Sequence, residues 1–402
     1  MQSLPDGAVV NAISRQAVKE AQRLATEGKH AEAAEIMCGE WGADYDKAIS
    51  TVYHKPRFGQ PGFEKKTLFQ QNMGRIAAFK ANTLERSLRD PGEEKADGII
   101  KRFNRWQAVE HNTVIARARS AKQFEQFGSV RDLYPNIEWL RTGSANPREL
   151  YLNYVGLVLP QDHQFWQSNQ PGNLYGCKCN WRTTDRGTSA EPIQTVEPSP
   201  GLDGNPAETG EIISDRHPYV RNADRKQVNQ FMASMKSEIT YREALSSRGK
   251  PIRWNIMHGR DALLKNIEVA NGLLKYREFT GVDILPELHP KDAAQRVKFL
   301  PSSYRQRNPQ KNPEAILHTR NGKRLVTEFK VLESINNIGR HITLAAAQAN
   351  YAVLKLDFIP ETDIYDNVKL RVDRKMKESP ELKGVIVLDI RHDVVYKTGI
   401  WQ

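Results

Sequence analysis

The 402-residue chain has only three cysteines, Cys38, Cys177 and Cys179. Three thiols cannot build a disulfide framework, and so sparse a use of cysteine suits a reducing compartment. Long apolar runs are missing too. No stretch approaches the roughly 20 residues that a membrane-crossing helix needs, so no membrane segment is expected. Residues 1–10 lack a basic segment followed by an apolar one, and no secretory signal is expected. No internal repeat is visible. Acid is the scarcer charge: 59 Lys and Arg stand against 48 Asp and Glu, a formal net charge of +11. A basic balance favours polyanionic partners, of which nucleic acid is the commonest, although an inert basic surface gives the same count.

What is present suggests more than one core. The length exceeds what one ordinary core holds, so two or three domains are expected. Hydrophobic residues make up 39% and charged residues 27%, enough for separate small cores in a polar chain. Residues 9–127 carry a helical pattern, strongest at 68–88, where Met73, Ile76, Ala77, Lys80 and Leu84 recur near helical spacing. Between 133 and 181 that periodicity gives way to short segments punctuated by Pro and Gly, the texture of a compact α+β cap. Residues 183–215 hold Pro192, Pro198, Pro200 and Pro206 with few apolar residues, which predicts a linker. Beyond it, 229–245 and 261–276 read as helices. Strands follow at 282–285, 315–319 and 325–331, then a helix at 337–350, a strand at 351–357, a helix at 366–377, and strands at 385–390 and 394–397.

One stretch carries chemistry. Pro313-Glu314-Ala315-Ile316 is followed, after Asn321-Gly322, by Glu328-Phe329-Lys330. Asn-Gly between two β-prone runs predicts a hairpin. Glu328 and Lys330, two apart on a strand, share a face. Phosphodiester hydrolysis needs converging carboxylates for a hard cation and a nearby lysine to orient water or stabilise developing negative charge. A two-residue turn at Asn321-Gly322 would pair Glu314 with Phe329 and turn it away from Glu328, so a bulge or sharp twist is required. The bland alternative is an exposed strand face of solvated charges, since Glu-x-Lys is common by chance.

The central residues 65–182 carry an ordered set of features. Phe69-Gln70-Gln71-Asn72 leads to Lys80, and Ala116-Arg117-Ala118-Arg119-Ser120-Ala121-Lys122-Gln123-Phe124-Glu125 follows. Pro147-Arg148-Glu149-Leu150, Gly156-Leu157-Val158-Leu159-Pro160, Asp162, Phe165-Trp166 and Gly176-Cys177-Lys178-Cys179 complete it. In this order they resemble the phage Mu F-like head morphogenesis, or minor head, proteins. Tyr151 stands where that family often has histidine. The resemblance implies a minor capsid component near the portal, with portal and capsid proteins as partners and no catalytic residue. Cys177 and Cys179, with His163, suggest a zinc site. Cys-x-Cys supplies two thiolates at most, so a tight turn with structural, buried thiols is the favoured reading. Phe165 and Trp166 read as core anchors.

Residues 255–402 resemble the PD-(D/E)xK nuclease superfamily, and within it the C-terminal tRNA-cleaving toxin domains of contact-dependent growth inhibition proteins. The carrying residues are Asn266-Ile267-Glu268-Val269-Ala270, Gly281-Val282-Asp283-Ile284-Leu285-Pro286, Pro313-Glu314, Thr327-Glu328-Phe329-Lys330, Ala347-Gln348-Ala349 and Val353-Leu354-Lys355-Leu356. The resemblance implies that Glu268, Glu314 and Glu328 hold a divalent metal, Mg²⁺ or alternatively Zn²⁺, and that Lys330 is the catalytic lysine. Glu314 stands where the family usually has Asp. tRNA and an immunity protein would be partners.

Taken together these readings give a multidomain chain: a mainly helical N-terminal half with a small α+β cap, then an α/β PD-(D/E)xK-like nuclease domain. The expected divisions are 1–64 helical, 65–182 head-morphogenesis, 183–215 linker, 216–254 helical connector and 255–402 nuclease. Arg305, Arg307, Lys311, Arg340, His341, Lys369 and Arg374 are candidate nucleic-acid contacts, with a solvated surface as the alternative for each. His341 and His318 are alternative general bases or structural histidines. The expected function is a phage minor head protein carrying a metal-dependent ribonuclease, in the virion and then the host cytoplasm. An inactive nuclease fold used for binding, or a DNA-directed nuclease, remains as an alternative.

Overall fold

A computed structural model describes residues 13–144, 147–190, 195–288, 293–307, 311–358 and 364–401. Contacts divide the chain into two units: Met1–Lys55 with Lys65–Met235, and Pro56–Glu64 with Lys236–Gln402.

In the first unit the amphipathic pattern becomes long helices, Arg15–Thr26, His30–Tyr53, Phe63–Arg89 and Ala96–Gly128. Ser14 starts the first by accepting from the Ala17 N–H. Met73, Ile76, Ala77, Lys80 and Leu84, the stripe visible in sequence, are all buried. Lys80 is tolerated there because its ammonium meets Glu110 Oε2 and Gln107 Oε1, each at 2.7 Å, and lies 4.4 Å from the Trp41 ring centre. Tyr219 and Tyr45 also donate to Glu110. Burial pushes the Lys80 pKa down, and Glu110 opposes that shift.

The cap is a three-stranded antiparallel sheet of β1 (Asn136–Leu140), β2 (Val158–Pro160) and β3 (Asn180–Thr184) in the order β2-β1-β3. Trp139, Tyr151, Tyr154, Phe165, Trp166 and Trp181 fill its core together with Cys177. Phe165 and Trp166 are anchors, as expected.

The stretch expected to be a linker, 183–215, is exposed over 185–190 but packed into the first unit over most of 201–214; Pro192 lies outside the described residues. Its few apolar side chains, Val196, Leu202, Ile212 and Ile213, are buried. Its backbone is gripped by polar side chains. Arg117 donates to the Leu202 and Gly204 carbonyls at 2.7 and 2.9 Å, and Asn72 accepts from the Ile212 and Ile213 N–H groups. Composition missed this because partners such as Arg117 and Asn72 lie 85 and 140 residues upstream of the atoms they hold.

The second unit is built on a mixed eight-stranded sheet, in the order β11-β10-β9-β8-β7-β6-β5-β4. The strands are β4 (Tyr241–Leu245), β5 (Pro251–Asn255), β6 (Phe279–Ile284), β7 (Ala315–Thr319), β8 (Arg324–Leu332), β9 (Tyr351–Leu356), β10 (Gly384–Leu388) and β11 (Val394–Gly399). The expected helical connector at 216–254 is corrected here. It ends in the β4–β5 hairpin, where buried Ile252 and Trp254 alternate with exposed Pro251 and Arg253. The Asn229–Leu245 helix also stops early: it is Arg225–Ser234, and residues 241–245 are strand.

The Ile338–Ala346 and Ile364–Glu378 helices cover one face of the sheet. Ile338, Ile342, Val368 and Val372 pack there with Leu332, Ala352, Leu354, Leu356, Val385 and Val387. The Arg260–Leu273 helix reaches the other face, where its Glu268 meets Lys355.

Candidate active site

The β7–β8 hairpin fixes the site. Its register pairs Ala315 with Thr327 and His318 with Arg324. Thr319 and Lys323 close the ladder through Thr319 N–H to Lys323 O at 3.0 Å. Three residues therefore make the turn, Arg320, Asn321 and Gly322. Gly322 has φ +81°, the left-handed conformation that ends a three-residue loop. This corrects the expected two-residue turn. With three turn residues the register moves by one, and Glu314 falls opposite Glu328 without a strand bulge. The Glu314 N–H donates to Glu328 Oε2 at 3.3 Å.

Glu328 is 1% exposed. Its other carboxylate oxygen accepts from Lys330 Nζ at 2.6 Å. Register pairs Glu328 with Ala352 and Lys330 with Leu354, so both leave the sheet on the face covered by the Ile338–Ala346 helix. Burial raises the Glu328 pKa to about 7. The Lys330 charge and its hydrogen bond pull it down, the Glu314 charge pushes it up, and the Glu314 N–H pulls it down. His341 is half-buried and titrates below its ordinary range, first through burial and then through the charges of Lys330 and Arg340.

Glu314 stands just before β7, and its carboxylate is held by the Arg260–Leu273 helix, which lies on the face opposite to Lys330. Asn266 Nδ2, on Arg260–Leu273, donates to Glu314 Oε2 at 2.8 Å and lies 2.9 Å from His258 Nε2. His258 Nε2 is 3.6 Å from the same carboxylate oxygen. Neither residue was singled out for a role in the sequence. Asn266 sat inside a quoted motif, but nothing in its identity signals a carboxylate partner.

Glu268 does not join this group. It accepts from Lys355 Nζ at 2.6 Å and lies 3.2 Å from His392 Nε2. Lys355 leaves β9 on the face opposite to Leu354. Asn266 and Glu268 are two apart, and two helical positions point about 200° apart around the axis, so the helix can present only one of them to Glu314. His318 is also elsewhere, at the far end of β7 and 3.0 Å from Asp283 Oδ2.

Among the candidate nucleic-acid residues, Lys311, Arg340, Lys369 and Arg374 are exposed. Arg374 is engaged with Glu378, and Arg305 is half-buried with its Nε on the Leu300 carbonyl at 3.0 Å. The Arg307 side chain lies outside the described residues. In the cap, Cys177 and Cys179 contact each other, with the Cys179 N–H 3.4 Å from Cys177 Sγ. His163 Nδ1 accepts from the Phe165 N–H.

The donor set can be tested against a cation. Among the described residues no three His, Cys, Asp or Glu side chains converge as a metal group. Glu314 and Glu328 are neighbours across the hairpin, joined by the Glu314 N–H, and the Glu314 charge acts on Glu328. Mg²⁺ characteristically takes one or two carboxylates and fills its other positions with water and substrate phosphate. Zn²⁺ favours three or four nitrogen or sulfur donors. Of the two ions, a pair of carboxylates fits Mg²⁺ better than Zn²⁺, and Glu314 and Glu328 are the residues that would hold it.

Compared with known proteins, the chain matches no family model, no curated protein and no solved structure.

Proposed function

We propose that the second unit is a metal-dependent ribonuclease of PD-(D/E)xK type acting on tRNA, carried by a phage minor head protein. The observation that supports it most is the register that sets Glu314 opposite Glu328 and Lys330 beside it. Two acids and a nearby lysine are the kind of groups that metal-assisted phosphodiester hydrolysis uses. Mg²⁺, when bound by Glu314 and Glu328, would supply Lewis-acid stabilisation of the phosphate charge. Lys330 would offer its free N–H groups to a phosphate oxygen or to the attacking water. Asn266 would fix the orientation of Glu314. Lys311, Arg340, Lys369 and Arg374 would contact the RNA backbone, giving salt-dependent affinity.

The head assignment rests on the ordered motifs between 65 and 182. Several of their members meet in space. Leu157, Leu159, Phe165, Trp166 and Cys177 share one core. Portal and capsid proteins would be the partners of this unit, and an immunity protein and tRNA those of the other. The virion and then the host cytoplasm would be its locations.

The experiment is incubation of the whole chain with tRNA and, separately, plasmid DNA in Mg²⁺. The proposal expects tRNA cleavage that is lost in Glu328→Ala and Lys330→Ala. Plasmid cleavage alone would move the reading to a DNA nuclease. Intact tRNA and DNA would replace it with a nuclease fold used for binding, a reading that Asn266 in place of a helix acid favours.

A further inference from the structure

The groups around Glu314 form a chain whose proton positions are dictated end to end. A carboxylate oxygen only accepts, so the Asn266 atom 2.8 Å from Glu314 Oε2 is its amide nitrogen. That NH₂ group lies 2.9 Å from His258 Nε2, which must then accept. His258 Nδ1 lies 2.7 Å from the Leu285 carbonyl, another pure acceptor, so Nδ1 carries the proton. The Leu285 backbone thereby fixes the orientation of the imidazole.

Each member of this chain is held by backbone that the sheet has already ordered. His258 is 3% exposed and follows β5 in a turn closed by His258 N–H to Asn255 O at 3.0 Å, with the Asn255 side chain accepting from Met257 N–H. Leu285 follows β6, and its N–H donates to the Glu314 carbonyl at 2.9 Å. Asn266 is 6% exposed on the helix. The ends of β5, β6 and β7 thus meet at one side chain.

We infer that His258 and Asn266 are positioning residues that hold the Glu314 carboxylate in place through a hydrogen-bond chain anchored on the Leu285 backbone. The inference rests on the nuclease reading for its consequence and on the hydrogen-bond chain for its geometry. Asn266 carries no charge, so it orients Glu314 without adding repulsion to a site where Glu328 is already buried. Supporting groups of this kind typically contribute 10- to 100-fold to metal affinity or activity.

The test uses the whole chain, wild type against Asn266→Leu and His258→Gln. Three readouts are taken: ¹⁵N imidazole NMR of His258, the Mg²⁺ concentration that half-saturates the thermal shift, and tRNA cleavage with kcat and KM separated. In the wild type the inference expects the Nδ1-protonated tautomer with a hydrogen-bonded Nε2. In Asn266→Leu it expects the Nε2 resonance to move, the Mg²⁺ requirement to rise about 10- to 100-fold, and kcat to fall with KM unchanged. Asn266→Gln, which keeps the donor, is expected to recover part of the loss. An Nε2-protonated His258 in the wild type overturns the chain whether or not the protein cleaves RNA. Unchanged Mg²⁺ binding in a folded Asn266→Leu overturns it as well. Absence of cleavage in the wild type with the expected tautomer and Mg²⁺ shift instead refutes the nuclease reading and leaves the chain standing.

Discussion

The backbone N–H of Glu314 donates to Glu328 Oε2 across the β7–β8 hairpin, 3.3 Å away. That contact exists because the turn has three residues. Deleting Arg320 leaves Asn321-Gly322 as a two-residue turn and shifts pairing by one, which takes the Glu314 N–H away from Glu328 Oε2. The deletion is expected to abolish Mg²⁺-dependent stabilisation while the far-UV circular dichroism stays close to wild type. Gly322→Ala keeps the register but forces a side chain into φ +81°, costing about 1–2 kcal/mol in urea unfolding.

The buried Glu328 makes stability depend on pH. Its folded pKa, about 7, lies above the ordinary value of 4.5. Below about pH 4.5 both states carry the proton and nothing is lost. Between 4.5 and 7 the unfolded chain gives up its proton while the folded chain keeps it, so stability falls as pH rises, and above 7 the loss is complete. The total is on the order of 3 kcal/mol. Urea unfolding without divalent metal, wild type against Glu328→Gln, is expected to diverge over that window, with the variant the more stable at pH 8. Parallel curves would contradict the burial of this carboxylate.

Glu268 separates the two readings of the helix. Removing its charge leaves Lys355, 3% exposed, without its nearest carboxylate. Glu268→Gln is expected to lower stability by about 1–3 kcal/mol and to leave the Mg²⁺ requirement unchanged. A large rise in that requirement would return Glu268 to the metal site.

In the first unit Lys80 and Glu110 act as a pair. Lys80→Met leaves Glu110 buried with only tyrosine donors and is expected to destabilise by about 3–5 kcal/mol. A Lys80→Met, Glu110→Leu double variant is expected to recover much of that loss. Thermal unfolding of the two variants beside wild type checks both statements.

Much of the element order was legible because its signals are local. The Asn321-Gly322 turn, the β7 run of Ala315–Thr319 and the alternation around Phe329 are each contained within a few residues. What was not legible depends on distant partners. The 183–215 segment looked like a linker because Asn72 and Arg117, which satisfy its backbone, sit far upstream. The nuclease resemblance points to Glu268 as the helix carboxylate and gives Asn266 no role. Which of the two reaches Glu314 depends on the rotation of the helix against the sheet, and residue type carries no record of it. The turn length was hidden for a related reason: Asn-Gly is compatible with two- and three-residue loops, and only the Thr319–Lys323 closure decides between them.

The central claim is that Glu314, Glu328 and Lys330 cut RNA with a divalent cation. A fragment beginning at residue 255 would lack β4 and nearly all of β5, so the measurement belongs on the whole chain. Purified protein is incubated with total tRNA in Mg²⁺ and in EDTA, alongside Lys330→Ala. The account predicts discrete tRNA fragments in Mg²⁺, none in EDTA and a loss of at least about 100-fold in the variant. Cleavage that persists in EDTA or in Lys330→Ala, or tRNA that stays intact with the wild-type protein, would contradict it.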